Sequence, residues 1–273
     1  MPAKEVNPAF FAEAIASVRD QRSPWWQLIV VVEHDERERI ITWLGAWRTD
    51  RRIQVVVNEG VRLAGATNTG MRHARTEFVA LLLADDRWDV HAVSVLSQYI
   101  AQHRYADFFH SARRIIDDDG NPISSVHPAR HHVTLRDFRL ESPVKHLLCW
   151  RRSLGLTVGG LDERSASVGP DDFDFPWTMA EHGAVFHAVD ECLYEYRDHR
   201  DGVRLTTHLP RTVHVREMRR VLRKHGLGRR DIRLRIRAAR KSYLQQCLYR
   251  SRTEARIRQW LNRPPRIWRD TYR

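Results

Sequence analysis

Short apolar runs alternate with amphipathic stretches through the first three quarters of the chain. The runs at 26–32 ("WQLIVVV"), 53–57 ("IQVVV") and 78–83 ("FVALLL") are nearly free of polar residues, the pattern of strands buried on both faces. Between them apolar residues fall at helical spacing. Asn7 followed by Pro8 opens the first helical segment, with Phe11, Ile15 and Val18 on one face. Further helices are predicted from about Glu36 to Trp47, over the Gly-punctuated "RLAGATNTGMRHA" from Arg62, and from about Asp89 to Gln102. "ADFFHSARRIIDDDGNPI" (106–123) reads as two strands, the second closing at Asp119-Gly120. After a His-rich loop region, "SPVKHLLCWRRSL" (142–154) and "DDFDFPWTMAEHG" (171–183) read as helices, and "AVFHAVDECLYEYRDH" (184–199) mostly as a strand. Strands alternating with helices predict an α/β protein, a sandwich around a largely parallel sheet.

The run at 78–83 stops at two adjacent carboxylates, Asp85 and Asp86. Carboxylates at the carboxyl end of a buried strand stand where open α/β sheets place their ligands. The local alternative is a solvated loop with an Asp capping the next helix.

Charge divides the chain. Residues 210–273 hold 21 Lys/Arg and 4 Asp/Glu, a balance of +17; residues 1–209 hold 25 and 30, a balance of −5. A mildly acidic body over 1–207 thus carries a basic helical extension over 208–273. In the extension apolar residues (Val221, Leu222, Leu234, Ile236, Leu244) recur at helical spacing among arginines. That pattern suits an anionic membrane surface or, equally, a cap on the body with a solvated basic face; nucleic acid is the weaker reading. No run has transmembrane length and no signal-peptide pattern opens the chain, so a cytoplasmic protein is expected, with peripheral attachment to the inner face of the membrane as an option. Three separated cysteines argue against a disulfide framework. His127, His131, His132 and His146 lack the partners and spacing of a zinc site.

The order of motifs resembles the inverting GT-A glycosyltransferases of family 2 over roughly residues 5–205. "EAIASVRDQRSPWWQLIVVVEHD" matches the family's first helix and second strand, and "NEGVRLAGATNTGMRHARTEF" its "N.G...A.N.G...A.GE". Leu82-Leu83-Ala84-Asp85-Asp86 stands for "LDaDD", "GGLDER" (159–164) for "GGFDE", "GPDDFDFPWTMAEHG" for "..EDYDLWLRLAE.G", and "LYEYRDHRDG" (193–202) for "YRYR.H..S". The resemblance implies a three-layer α/β/α fold and transfer of a sugar from a nucleotide diphosphate donor to a hydroxyl of a glycan or lipid-linked acceptor, with inversion. It implies Mn²⁺ or Mg²⁺ held by Asp85, with Asp86 as helper and His199 completing the site. Donor contacts are implied for Glu33, Asp35, Asn58, Asn68 and Asp85, and acceptor contacts for Asp171, Trp177 and Gly160. Asp172 matches the family's base, which takes the acceptor proton during attack from the opposite side.

Three positions depart from the family. Leu83 replaces the first Asp of D-x-D, Thr67 a common Arg, and Val6 stands at the Tyr that ends the first strand. With six residues before Asn7 that central strand is expected to be nearly absent, leaving costly unpaired backbone on its neighbours. The alternative function is accordingly a binding or scaffold protein of the same fold without turnover.

Overall fold

The computed structural model describes residues 1–164, 171–198 and 210–249, together with Thr253, Arg256, Ile257, Trp260 and Leu261. One sheet is parallel, in the order β1 (Pro2–Ala3), β2 (Leu28–Val32), β3 (Ile53–Val57). A second sheet has the order β4 (Phe78–Leu81), β7 (Leu148–Arg151), β6 (Phe108–Ile116), β8 (Phe186–Arg197), β5 (Arg87–Trp88). Here β6 and β8 run parallel, whereas β7 pairs antiparallel with both β4 and β6, so the parallel character fades beyond β3.

Every residue of β2 is buried, as its unbroken Leu-Ile-Val-Val-Val run requires. Helix α1 (Pro8–Arg19) starts as read: the Asn7 side chain accepts the Ala9 N–H at 2.9 Å, and Phe11, Ala14, Ile15 and Val18 are buried. α2 (Arg37–Leu44), α3 (Arg62–His73) and α4 (Ala92–Gln102) follow at the predicted places. The sheet of β4–β8 separates two apolar cores. Phe109 of β6 points into one, with Ile15, Leu96 and Leu193, and its neighbour Phe108 into the other, with Trp150, Phe173 and Trp177.

Three sequence expectations are corrected. The segment 142–154 is not one helix: Leu148 to Trp150 are buried in β7 between β4 and β6, and only α6 (Arg152–Thr157) is helical. The segment 106–123 is one nine-residue strand followed by a turn, because Phe108 to Ile116 pair continuously with β8 apart from a bulge. A short helix, α5 (Leu135–Leu140), rises from the His-rich loops on a capping box between Thr134 and Asp137.

The first strand is short but present. Pro2 and Ala3 pair with Val31 and Val32; the Val31 N–H donates to the Met1 carbonyl and the terminal ammonium to the Ile29 carbonyl at 2.7 Å. That ammonium is fully buried, and desolvation lowers its pKa to about 5. Beyond β1 a cavity of about 390 Å³ lies between Leu28–Ile29 of β2 and Phe78–Leu81 of β4.

The basic extension contributes α8 (Arg211–Lys224) and α9 (Arg229–Tyr249). Val215, Val221, Leu222, Leu227 and Ile236 join Phe173, Trp177 and Met179 of α7 (Asp171–Glu181) in one core, so these helices cap the body. No described helix is long and apolar enough to cross a membrane.

His110 of β6 is buried, its Nε2 has no hydrogen-bond partner among the described residues, and burial lowers its pKa to about 4 from 6.5. Burial does the same to His146. Below pH 6.5 the unfolded chain takes up protons that the folded chain refuses until about pH 4. Stability should therefore fall with pH across that window. Thermal midpoints measured from pH 7.5 to 4.5 should decline, and less steeply in His110→Gln; a slope unchanged by that substitution would refute this account.

Candidate active site

The turn after β4 holds two carboxylates with opposite fates. Asp86 is 0% exposed and accepts hydrogen bonds from the Tyr194 hydroxyl (2.6 Å) and the Arg197 backbone N–H (2.7 Å). Burial, then the neighbouring charge of Asp85, pushes its carboxyl well above the usual range against the pull of Tyr194 and Arg197. Asp86 therefore braces the fold, and its expected role as a metal ligand is corrected: its oxygens face inward onto protein donors. Asp85 stays half-exposed at the mouth of the turn.

Arg197, at the end of β8, fixes that mouth. Its side chain is fully buried; Nε donates to the Asp85 carbonyl (2.8 Å), Nη1 to the carbonyls of Asp117 and Asp118 (both 3.0 Å), and Nη2 to Glu13 of α1. The guanidinium also lies 4.5 Å from the ring centre of Phe10. One planar group thereby holds the turn that carries Asp85, the turn after β6 and the first helix.

At the carboxyl end of β2, Glu33 accepts from Asn58 Nδ2 (3.1 Å), while Asp35 is exposed in the 3-10 turn His34–Glu36. Asn58 shapes the turn before α3, its Oδ1 accepting the Gly60 N–H at 2.9 Å. Asn68 is buried and exchanges two hydrogen bonds with the Leu161 backbone (2.8 and 3.0 Å) and one with Glu163 (3.1 Å). Gly160 has φ of +72°, and a Cβ there would lie 2.3 Å from Asn68 Oδ1. Asn68 and Gly160 are thus packed against each other; the donor contact expected of Asn68 and the acceptor contact expected of Gly160 give way to this structural pairing.

Helix α7 presents Asp172 exposed in its first turn. Asp171 begins the helix, but its side chain, like the whole of His199, lies outside the described residues. Trp177 is 0% exposed, stacked on His225 (4.1 Å, 5° between planes) and packed on Phe138 and Phe173. No face is left for a sugar, which corrects the acceptor contact expected there. Asp174, also buried, receives Lys224 Nζ (2.8 Å) and His225 Nε2 (2.7 Å), so α8 grips the helix that carries Asp172.

His146 links the two sides. Its ring stacks on Tyr194 (5.2 Å) and Tyr196 (6.4 Å), and it lies within electrostatic reach of both Asp172 and Asp85. Burial outweighs their pull and lowers its pKa to about 4, keeping the ring neutral. Sequence reasoning missed Tyr194, Arg197, Glu13 and His146. The signal for the first two stood in "LYEYRDH", read only for its histidine.

Among the described residues no three of His, Cys, Asp or Glu converge as metal ligands. Asp85, a half-exposed hard oxygen donor at the mouth, fits a divalent cation as one ligand among several.

The fold is shared with solved structures of S. aureus TarS. Residues 1–349 of TarS in complex with UDP-GlcNAc superpose with a TM-score of 0.62 at 17% identity, over 93% of this chain and 75% of that one. The complex with UDP gives 0.61 at 16% identity, over 96% and 76%. This is the GT-A fold of nucleotide-sugar transferases. Residues 1–152 match the profile of Glycosyl transferase family 2, and the chain belongs to that family. Curated relatives are the O-antigen biosynthesis protein RfbC of Myxococcus xanthus (28% identical over 210 residues, 72% of this chain) and TuaG of Bacillus subtilis (strain 168), named for teichuronic acid biosynthesis (24% over 191 residues, 69% of this chain). The chain spans 15% of the length of RfbC and 73% of TuaG.

The two adjacent carboxylates should separate by substitution. Asp86→Ala strands two buried donors and should cost about 3–5 kcal/mol. Asp85→Asn should cost under about 1 kcal/mol, as expected for a partly solvated group. Urea unfolding midpoints of the two variants check this, and equal costs would contradict it.

Proposed function

We propose that the protein transfers a sugar from a nucleotide diphosphate donor to a hydroxyl of a glycan or lipid-linked acceptor, with inversion. The observation that carries this reading is the half-exposed Asp85 after β4 together with the exposed Asp172 in the first turn of α7, in a chain of Glycosyl transferase family 2. UDP-GlcNAc and UDP bound to TarS, and the biosynthetic names of RfbC and TuaG, support the donor and acceptor classes.

Asp172 is the base. Its exposed carboxylate accepts the proton of the acceptor hydroxyl as that oxygen attacks the anomeric carbon opposite the departing diphosphate. Asp85, with Glu33 and Asp35 at the end of the neighbouring strand, faces the donor. Mn²⁺ or Mg²⁺, held by Asp85 and the donor phosphates, would neutralise the charge that develops on the leaving group. His199 is the family's match for a further ligand. Arg197 fixes the Asp85 carbonyl, which limits how far that carboxylate wanders.

Asp172→Asn should lower transfer by about two to four orders of magnitude with UDP affinity nearly intact. Asp85→Asn should weaken UDP binding in Mn²⁺ but not in EDTA. A scaffold reading is favoured by Leu83, which packs against the second core where the family carries a carboxylate. Wild type that binds UDP no better in Mn²⁺ than in EDTA would decide for that scaffold.

We also propose attachment to an anionic membrane surface through α9. Arg229, Arg230, Arg233, Arg237, Arg240 and Lys241 are exposed on it, beside the exposed Leu234 and Leu244. Wild type should sediment with vesicles containing anionic lipid at moderate salt, and Arg233→Glu/Arg237→Glu/Arg240→Glu should not. Equal sedimentation of the two would count against this surface.

A further inference from the structure

Helix α1 turns three residues at helical spacing, Phe10, Glu13 and Ser17, toward the strands around the Asp85 turn. Positions three and four apart share one face of a helix. The neighbouring stripe, Phe11, Ala14, Ile15 and Val18, is buried in the first core and fixes the helix. Ser17 Oγ accepts the Trp88 N–H of β5 at 3.2 Å, and the Phe10 ring centre lies 4.5 Å from the Arg197 guanidinium. Glu13 receives two guanidinium groups on one oxygen. Its Oε2 accepts from Arg197 Nη2 and, at 3.2 Å, from Arg87 Nη1.

The two arginines depend on Glu13 unequally. Arg87 has a second carboxylate, Glu195 at 2.8 Å, and donates to the Gly120 carbonyl at 3.0 Å. Arg197, whose side chain is 0% exposed, makes its one ion pair among the described residues with Glu13. Its other side-chain bonds go to the carbonyls of Asp85, Asp117 and Asp118. A wholly buried guanidinium needs a counter-charge as well as acceptors, because carbonyl dipoles replace only part of its hydration. Without the charge of Glu13, every remaining side-chain bond of Arg197 lies on the two acidic turns, and the cation is drawn toward their carboxylates.

We infer that Glu13 is a positioning residue for donor binding: acting through Arg197, it sets the Asp85 turn and leaves the Asp85 carboxylate to a divalent cation and the donor diphosphate. The inference rests on Asp85 holding that cation, as proposed above. Glu13 touches neither donor nor metal in this account. It holds the guanidinium whose Nε fixes the Asp85 carbonyl, and whose residue supplies the backbone N–H that Asp86 accepts. Groups that orient a metal-binding residue from behind commonly govern about ten- to a hundredfold in metal affinity. A helix anchored in the first core is a rigid platform for such a group.

The test compares UDP affinity of the full chain in Mn²⁺ with that in EDTA, beside thermal midpoints. In wild type Mn²⁺ should tighten UDP binding. Glu13→Gln keeps the shape of the side chain and removes its charge; it should lose about tenfold or more of that gain, with affinity in EDTA unchanged. Glu13→Asp, charged but one methylene shorter, should lose a smaller part, and it is read instead should Glu13→Gln not fold. Ser17→Ala cuts a bond from the same helix face to β5 without touching Arg197, so it should lower the midpoint and leave the gain intact. In an Arg197→Met background Glu13→Gln should subtract nothing further, since its effect runs through that guanidinium. A Glu13→Gln that melts lower yet keeps the wild-type gain would reduce Glu13 to a brace and overturn the inference. So would a further loss in the Arg197→Met background. A wild type that gains nothing from Mn²⁺ would strike the metal reading proposed above, and this inference with it.

Discussion

The contact on which the site depends is the buried meeting of Asp86 with Tyr194 and Arg197. A carboxylate without solvent is tolerable only when its oxygens are filled by strong donors, and here a phenol and a backbone N–H fill them. Arg197 then carries the restraint outward. Its backbone serves Asp86 while its guanidinium serves the Asp85 carbonyl, the turn at Asp117–Asp118 and Glu13. Such a network is costly to break and adds little as a net stabiliser. Its worth lies in position: Asp85 is left half-solvated while the chain on either side of it is held.

Helix α7 is organised by a different buried carboxylate. Asp174 lies two residues beyond Asp172 and is clasped by Lys224 and His225, while Trp177, one turn further along α7, stacks on the His225 ring. The two places share one arrangement, a buried acid (Asp86, Asp174) close in sequence to one that is at least half-exposed (Asp85, Asp172). The extension that reads as a separate basic tail therefore begins as a structural part of the site, because without α8 both Asp174 and the face of Trp177 would lose their cover.

Much of the fold was legible where burial leaves a single sign in the sequence. The uniform runs of β2 and β3 cannot sit on a half-wet surface, and Asn7-Pro8 marks a helix start by chemistry alone. The segment around β7 was misread because Leu147 to Trp150 form an apolar run too short for periodicity to separate strand from helix, and its pairing partners come from distant parts of the chain. Site residues divide in the same way. Asp85 and Asp172 were legible as carboxylates at element ends. Asp86, Asn68 and Trp177 carry the same local signals, and only long-range contacts (to Tyr194 and Arg197, to Leu161, to His225) show that their groups face inward. Arg197 looked like one arginine among many, since nothing local says that a side chain will be wholly buried.

The seam between the two sheets explains why the site leans on its carboxyl-terminal half. β1 covers β2 only at Val31 and Val32, and below it the edges of β2 and β4 flank a cavity of about 390 Å³ with apolar walls. A close-packed interior transmits position from strand to strand, and a cavity of this size interrupts that transmission. The alignment of the β4 end, and so of Asp85, cannot then come chiefly from β2 through β1. It comes from the other side, through the antiparallel pairing of β4 with β7 and through Arg197 on β8. Arg197, far along the chain from the first strand, thus holds the turn that carries Asp85, while Glu33 and Asp35 stand on the far side of the seam.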